Sequence, residues 1–220
     1  VNTSNPASYS AIDSLTMIID AGMTMSTGRL KSGEARIRAN NCSFDYVNAG
    51  FRLRKGLGFS IGMLPYTTIG YSFATSQKVT NDFSSTQAIT SHSSYYGEGG
   101  LHQIYMGVGW NPFADLSIGA NINYVWGNYT HNLSQTFDEN GTASSNYSGL
   151  NSTHNADIRT YKIDLGVQYP IIIDEQNRLT VGATASLGHN IKGDASLVRY
   201  NTVGDSINIV AKNAFDLPYT

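Results

Sequence analysis

The chain has 220 residues, 14% charged and 40% hydrophobic, with a formal net charge of -2. An ordinary soluble domain carries roughly 25% charged residues, so the thin charge needs a physical reason. The apolar clusters Leu15–Ile19 and Ile171–Ile173 fall far short of the roughly 20 residues a helical membrane span requires, and the weak negative charge excludes an electrostatic nucleic-acid binder.

In chain order, the dominant signal is alternation of apolar and small or polar residues, the period of a β-strand. The first segment, 15–25, sets Leu15, Met17, Ile19, Ala21, Met23 and Met25 against Thr16, Ile18, Asp20, Gly22 and Thr24. Segments 44–54 and 57–74 follow, with Val47, Ala49, Phe51 and Leu53, then Leu57, Phe59, Ile61 and Met63, on the apolar side. In 101–110 and 116–128 the apolar residues Ile104, Met106, Val108, Ile118 and Ile122 interleave with Gly, Ser and Asn. The last two, 159–169 and 178–188, repeat the pattern. No helical period intervenes, so the chain is all-β.

The polar face decides between two all-β classes. Sandwich strands usually run about 5–6 residues, whereas these fit a tilted bilayer crossing of about 9–11 residues. Their polar face is Gly, Ser, Thr and Asn, as expected for a barrel lumen. Trp110 and Tyr169 close one end of their strands, and Trp126 and Tyr161 the other, where two interfacial aromatic girdles would lie. The connections alternate as well: Lys55–Gly56, Asn111–Asp115 and Pro170–Asn177 are short, and Ser26–Asn41, Ser76–Glu98 and Thr130–Asp157 are long. Short periplasmic turns alternating with long extracellular loops mark an outer-membrane barrel of a Gram-negative bacterium. The sequence therefore predicts a transmembrane antiparallel β-barrel. Seven crossings are legible, and an eighth would begin near Leu217–Thr220. An even count is usual, so the chain reads as a partial barrel.

Asn5-Pro6-Ala7-Ser8-Tyr9-Ser10 and Gly56–Tyr66 extend the reading. The first resembles the end of the N-terminal plug, and the second the kinked third strand, of the FadL-like outer-membrane transporters, nearest their divergent Bacteroidetes-type members. The resemblance implies a plug segment over 1–13 and, over 14–220, about half of a fourteen-stranded barrel. It implies transport of a hydrophobic small molecule such as a long-chain fatty acid, in contact with outer-membrane lipids, by a chain favoured as a monomer. The plug motif would be Asn5, Pro6 and Ala7. Leu64, Pro65 and Tyr66 would form a kink opening the wall sideways, since proline removes a ladder donor. Alternatives from the residues themselves are a non-specific pore, a surface-interaction barrel, or a secreted β-sandwich adhesin.

Polar and charged lumen candidates are Asp20, Asn48, Arg52, Arg54, Lys162 and Asp164, read as structural pairs that neutralise charge in a narrow interior. Gly58-Phe59-Ser60-Ile61-Gly62 matches a nucleophile pattern, but that motif needs a strand-to-helix elbow and here lies inside a strand. The five histidines show no metal-ligand spacing; four sit in expected loops or at strand ends and are read as solvated. No catalytic residue, metal ligand or cofactor is expected.

Overall fold

The computed structural model describes residues 1–32, 35–79, 89–113, 115–139, 142–143, 148–174, 178–188, 193–203 and 206–216. A short 3-10 helix, η1 (Pro6–Ala11), precedes ten strands. They are β1 (Met17–Ser32), β2 (Ala35–Arg54), β3 (Leu57–Val79), β4 (Ile89–Phe113), β5 (Leu116–Glu139), β6 (Thr142–Ala143), β7 (Gly149–Ile172), β8 (Arg178–Leu187), β9 (Gly193–Val203) and β10 (Ser206–Asp216). They form one sheet in the order β1-β2-β3-β4-β5-β7-β9-β10, with β6 on β5 and β8 on β7. The fold is all-β, a partial barrel-type antiparallel sheet. Among the described residues no helix is long and apolar enough to cross a membrane.

Two sequence expectations change. The seven segments are strand as read, but β3, β4, β5 and β7 run to 23, 25, 24 and 24 residues. Most of the long links Ser26–Asn41, Ser76–Glu98 and Thr130–Asp157 are therefore paired strand. Hydrophobic alternation reports a strand only where its two faces meet different surroundings. Where both faces are polar the signal vanishes while the backbone ladder continues. Three histidines follow the same correction, since His92, His131 and His154, read as loop residues, lie in β4, β5 and β7. The eighth strand also comes early: β7 takes β8 along Ile163–Ile172 and β9 along Gly149–Ile158, and β10 returns along β9.

Contacts divide the chain into two compact units. The first comprises Val1–Tyr66, His102–Val125 and Tyr161–His189. Its polarity is inverted relative to a water-soluble protein. Ser60, Asn121, Asn123 and Asn48 are 0%, 2%, 3% and 5% exposed, while Met106, Ile122 and Ile19 are 53%, 62% and 70% exposed. A buried polar face and an exposed apolar one are the informative departures from ordinary burial. Trp110, Tyr169 and Tyr161 stand about half exposed on the apolar side.

The second unit comprises Thr67–Leu101, Trp126–Thr160 and Asn190–Thr220. An aromatic row links its strands. The Tyr71 hydroxyl lies 2.7 Å from His131 Nδ1, His131 stacks on His154, and Tyr129 meets both rings edge-on. Nearby in sequence, His92 joins Ser76 Oγ at 2.7 Å through Nδ1 and Asp138 at 3.1 Å through Nε2. These three residues sit on β3, β4 and β5, so the contacts tie neighbouring strands together.

Candidate functional site

The first unit is organised around η1, and local chemistry explains why a helical turn forms there. Asn5 caps it, its side chain accepting from the Ala7 backbone N–H at 3.1 Å. Pro6 occupies the first turn, where its missing N–H costs nothing and its fixed φ suits the helix. The same Asn5 side chain donates through Nδ2 to the Val167 carbonyl at 3.2 Å. One residue thus starts the turn and fastens it to β7.

Pro6, Ala7, Tyr9 and Ser10 of the turn are buried against the polar face of the sheet. Ala7 and Tyr9 are 0% and 1% exposed. Tyr9, Ile12 and Tyr105 form a core cluster, with Leu64 packed against it. The Ser10 hydroxyl donates to the Ala7 carbonyl at 2.8 Å and lies 2.9 Å from the Ser117 hydroxyl. Asn121 Nδ2 donates to the Thr3 carbonyl at 3.2 Å.

Close approach is possible because the wall facing η1 is glycine. A Cβ at Gly109 would stand 2.6 Å from the Pro6 carbonyl oxygen and 2.7 Å from Ser10 N. Added Cβ atoms at Gly58, Gly119 and Gly166 would collide with Tyr9, with the Pro6–Ala7 backbone, and with the Asn5 side chain. At Gly182 the nearest atom would be Asn5 Nδ2, at 2.9 Å. Five strands, β3, β4, β5, β7 and β8, thus place a bare Cα where the segment passes. The plug motif Asn5, Pro6 and Ala7 is therefore an integral part of this unit's interior. The glycines that receive it were visible in the sequence only as small lumen residues. Sequence spacing carries no signal that pairs Gly119 with Pro6.

Lys162 Nζ lies 3.0 Å from Asp164, which also accepts from Asn123 at 2.8 Å and from Ser186. Asp20 accepts from the Tyr46 hydroxyl at 3.4 Å. Arg52 instead donates to Ser14 Oγ at 2.9 Å and to the Arg54 carbonyl at 3.1 Å. Arg54 is exposed and Asn48 is buried. Removing the Asp164 carboxylate takes an acceptor from three donors, of which Asn123 keeps the Lys162 carbonyl, so Asp164→Ala should cost about 1 kcal/mol. Urea unfolding in lipid vesicles measures that loss, and an unchanged midpoint would assign Asp164 no role in the interior network.

Leu64, Pro65 and Tyr66 lie inside an unbroken β3. The β2–β3 ladder nevertheless ends at Val47↔Met63, directly before them. Leu64 faces the Tyr9 cluster and Tyr66 is exposed.

Burial drives the Tyr9 phenol well above the ordinary tyrosine value. A raised folded-state value means that the neutral phenol is the form the site holds. The stabilisation is complete below the unfolded value of about 10 and declines as pH rises above it. Protease protection of residues 1–12 should therefore fall above about pH 10, and Tyr9→Phe should weaken that pH dependence, the rest coming from the buried Tyr105 phenol in the same cluster. Among the described residues no group of three or more His, Cys, Asp or Glu gathers at metal-binding distance.

A family model, that of BamG, matches residues 1–215. No curated protein and no solved structure matches the chain. This overturns the FadL-like resemblance: a short Asn-Pro-Ala cap and a proline-bearing strand are features any plugged barrel can share. The fatty-acid transport that rested on the resemblance has no support among the comparisons. The chain is an outer-membrane-associated protein of a Gram-negative bacterium.

Proposed function

This chain belongs to the BamG family, a Bam complex-related family, and on that premise we propose that it is an integral outer-membrane β-barrel. Its lumen is closed by its own N-terminal segment, and it acts as an accessory interaction barrel beside the Bam complex. The observation that carries this reading is the inverted first unit, with Met, Ile, Val and aromatic residues outside and a glycine cradle filled by Asn5–Ser10 inside. An apolar outer band suits hydrocarbon. The filled, polar interior of this unit suits a scaffold better than a conduit.

The family supports the choice of partner, and the exposed apolar face supplies the contact surface within the bilayer. A photo-crosslinking residue at Val108 or Ile122, on that face, should give adducts to Bam components in intact cells. Fractionation should leave the protein in alkali-washed membranes. Recovery in the aqueous fraction would overturn the barrel, and crosslinks to lipid alone would overturn the partnership.

A further inference from the structure

The β1–β2 hairpin carries a charge pattern that the lumen does not explain. Four of the chain's 14 Lys and Arg residues fall between Arg29 and Arg38. Arg29 lies directly opposite Arg38, and Lys31 directly opposite Arg36. Like charges in direct cross-strand register are destabilising. All four are exposed, and among the described residues none enters an ion pair. An arrangement that repels itself twice over calls for an anion from elsewhere.

Their face follows from one irregularity. The register passes from Gly22↔Tyr46 to Met23↔Phe44, leaving Asp45 unpaired as a bulge in β2. A bulge inserts one residue and so reverses the alternation beyond it. On β1 the outward series Met17, Ile19, Ala21, Met23 and Met25 continues without a break to Arg29 and Lys31. On β2 the outward series is Val47, Ala49, Phe51 and Leu53 below the bulge, and Phe44, Cys42, Asn40, Arg38 and Arg36 above it. Without Asp45, Arg36 and Arg38 would fall in line with the lumen residues Asn48 and Gly50. The bulge brings all four cations onto the face that carries Met23, Met25 and Phe44, which are 73%, 81% and 44% exposed.

Depth agrees with this placement. At about 3.3 Å per residue, Arg29 stands about 13 Å beyond Met25 and Lys31 about 20 Å beyond it. A strand tilt of about 40° reduces these to about 10 and 15 Å along the membrane normal. Counted from Met17, the first residue of β1, Arg29 lies about 40 Å along the strand and about 30 Å along the normal, roughly one hydrocarbon thickness. Long basic side chains can reach back toward that boundary.

We propose that Arg29, Lys31, Arg36 and Arg38 form a binding row for the phosphate groups of an anionic membrane lipid. The row rests on the reading of the chain as a membrane barrel. Guanidinium groups suit phosphate oxygens through paired N–H bonds. Basic residues beside a membrane attract anionic headgroups.

The chain carries a reporter for the test. Cys42 is its one cysteine, is exposed, and pairs with Met25 on this same face. A donor dye on Cys42 of the full chain, embedded in phosphatidylcholine nanodiscs, reads energy transfer to trace acceptor-labelled phosphatidylglycerol or phosphatidylcholine. Transfer to phosphatidylglycerol should exceed that to phosphatidylcholine by about fivefold, the worth of one basic group beside an anionic surface, and should shrink with salt. Replacing all four residues with Ser should remove the preference, while replacing the three arginines with Lys should keep most of it.

Equal transfer to both lipids, or a preference that survives the Ser variant, would overturn the proposal. Loss of the preference on adding inorganic phosphate would assign the row to free phosphate, and loss on adding polyglutamate to an acidic protein, and either would also overturn it. Failure to enter the nanodisc would instead overturn the membrane reading beneath it.

Discussion

Gly119→Val should expel the N-terminal segment and open the interior of the first unit. A Cβ at Gly119 meets the Pro6–Ala7 backbone, which cannot swing aside as the end of a flexible side chain can. The wall cannot retreat either, because β5 lies between β4 and β7 in the sheet. The segment must therefore leave, and the loss includes Tyr9 with its contacts to Ile12 and Tyr105. Removing a buried aromatic side chain costs about 3–5 kcal/mol, and displacing Tyr9 should cost a similar amount. Denaturation in lipid vesicles reads the stability loss. Ion current across a planar bilayer should appear in the variant and be absent from the parent protein. Gly70→Ala serves as the control, because a Cβ there meets nothing within 4 Å. A closed, fully stable Gly119→Val protein would show that the cradle does not hold the segment.

Met106→Arg should separate a membrane barrel from any water-soluble sheet. Met106 is 53% exposed at the middle of the apolar stretch of β4. In water, a charged residue at such a position changes stability by only about 0.5 kcal/mol. At the midplane of a bilayer the same change costs about 2–4 kcal/mol, falling toward zero near the interfaces. Moving the arginine along β4 should therefore trace depth: the cost should be largest at Met106 and smaller at Trp110. A flat, near-zero profile would remove the apolar face from the bilayer.

The contrast between these two residues also shows how far the sequence could be read. Met106 was legible because the lipid-facing side of a strand has one chemistry and the lumen side another, so alternation writes the face directly into the composition. The strand extensions beyond it were not legible, because Ser76, His92 and Asp138 meet one another on strands with no apolar side to mark them. Asn5, Pro6 and Ala7 stood out in the sequence only as a plug motif, and neither the cap that Asn5 makes nor its seat was legible. Asn5 reaches Val167 across 162 positions, and no local pattern encodes a partner at that distance. Family membership was misread for a related reason: short caps and prolines recur wherever the same backbone problem is solved. The bulge at Asp45 was invisible because one unpaired residue alters the register without altering the apolar count. The lumen charges were legible as a set, Asp20 and Asp164 with Arg52, Arg54 or Lys162 as partners, but the alternation does not say which carboxylate meets which cation.

Order of assembly follows from the seat of the N-terminal segment. Asn5, Ser10 and Tyr9 precede in the chain their partners Val167, Ser117 and Tyr105. Contacts of such high sequence separation form slowly, since chain-closure entropy is paid before the contact rewards it. The segment can settle only when β4, β5 and β7 already stand beside one another. Its docking is therefore a late folding event, and the protection of Tyr9 should report that these strands have been assembled.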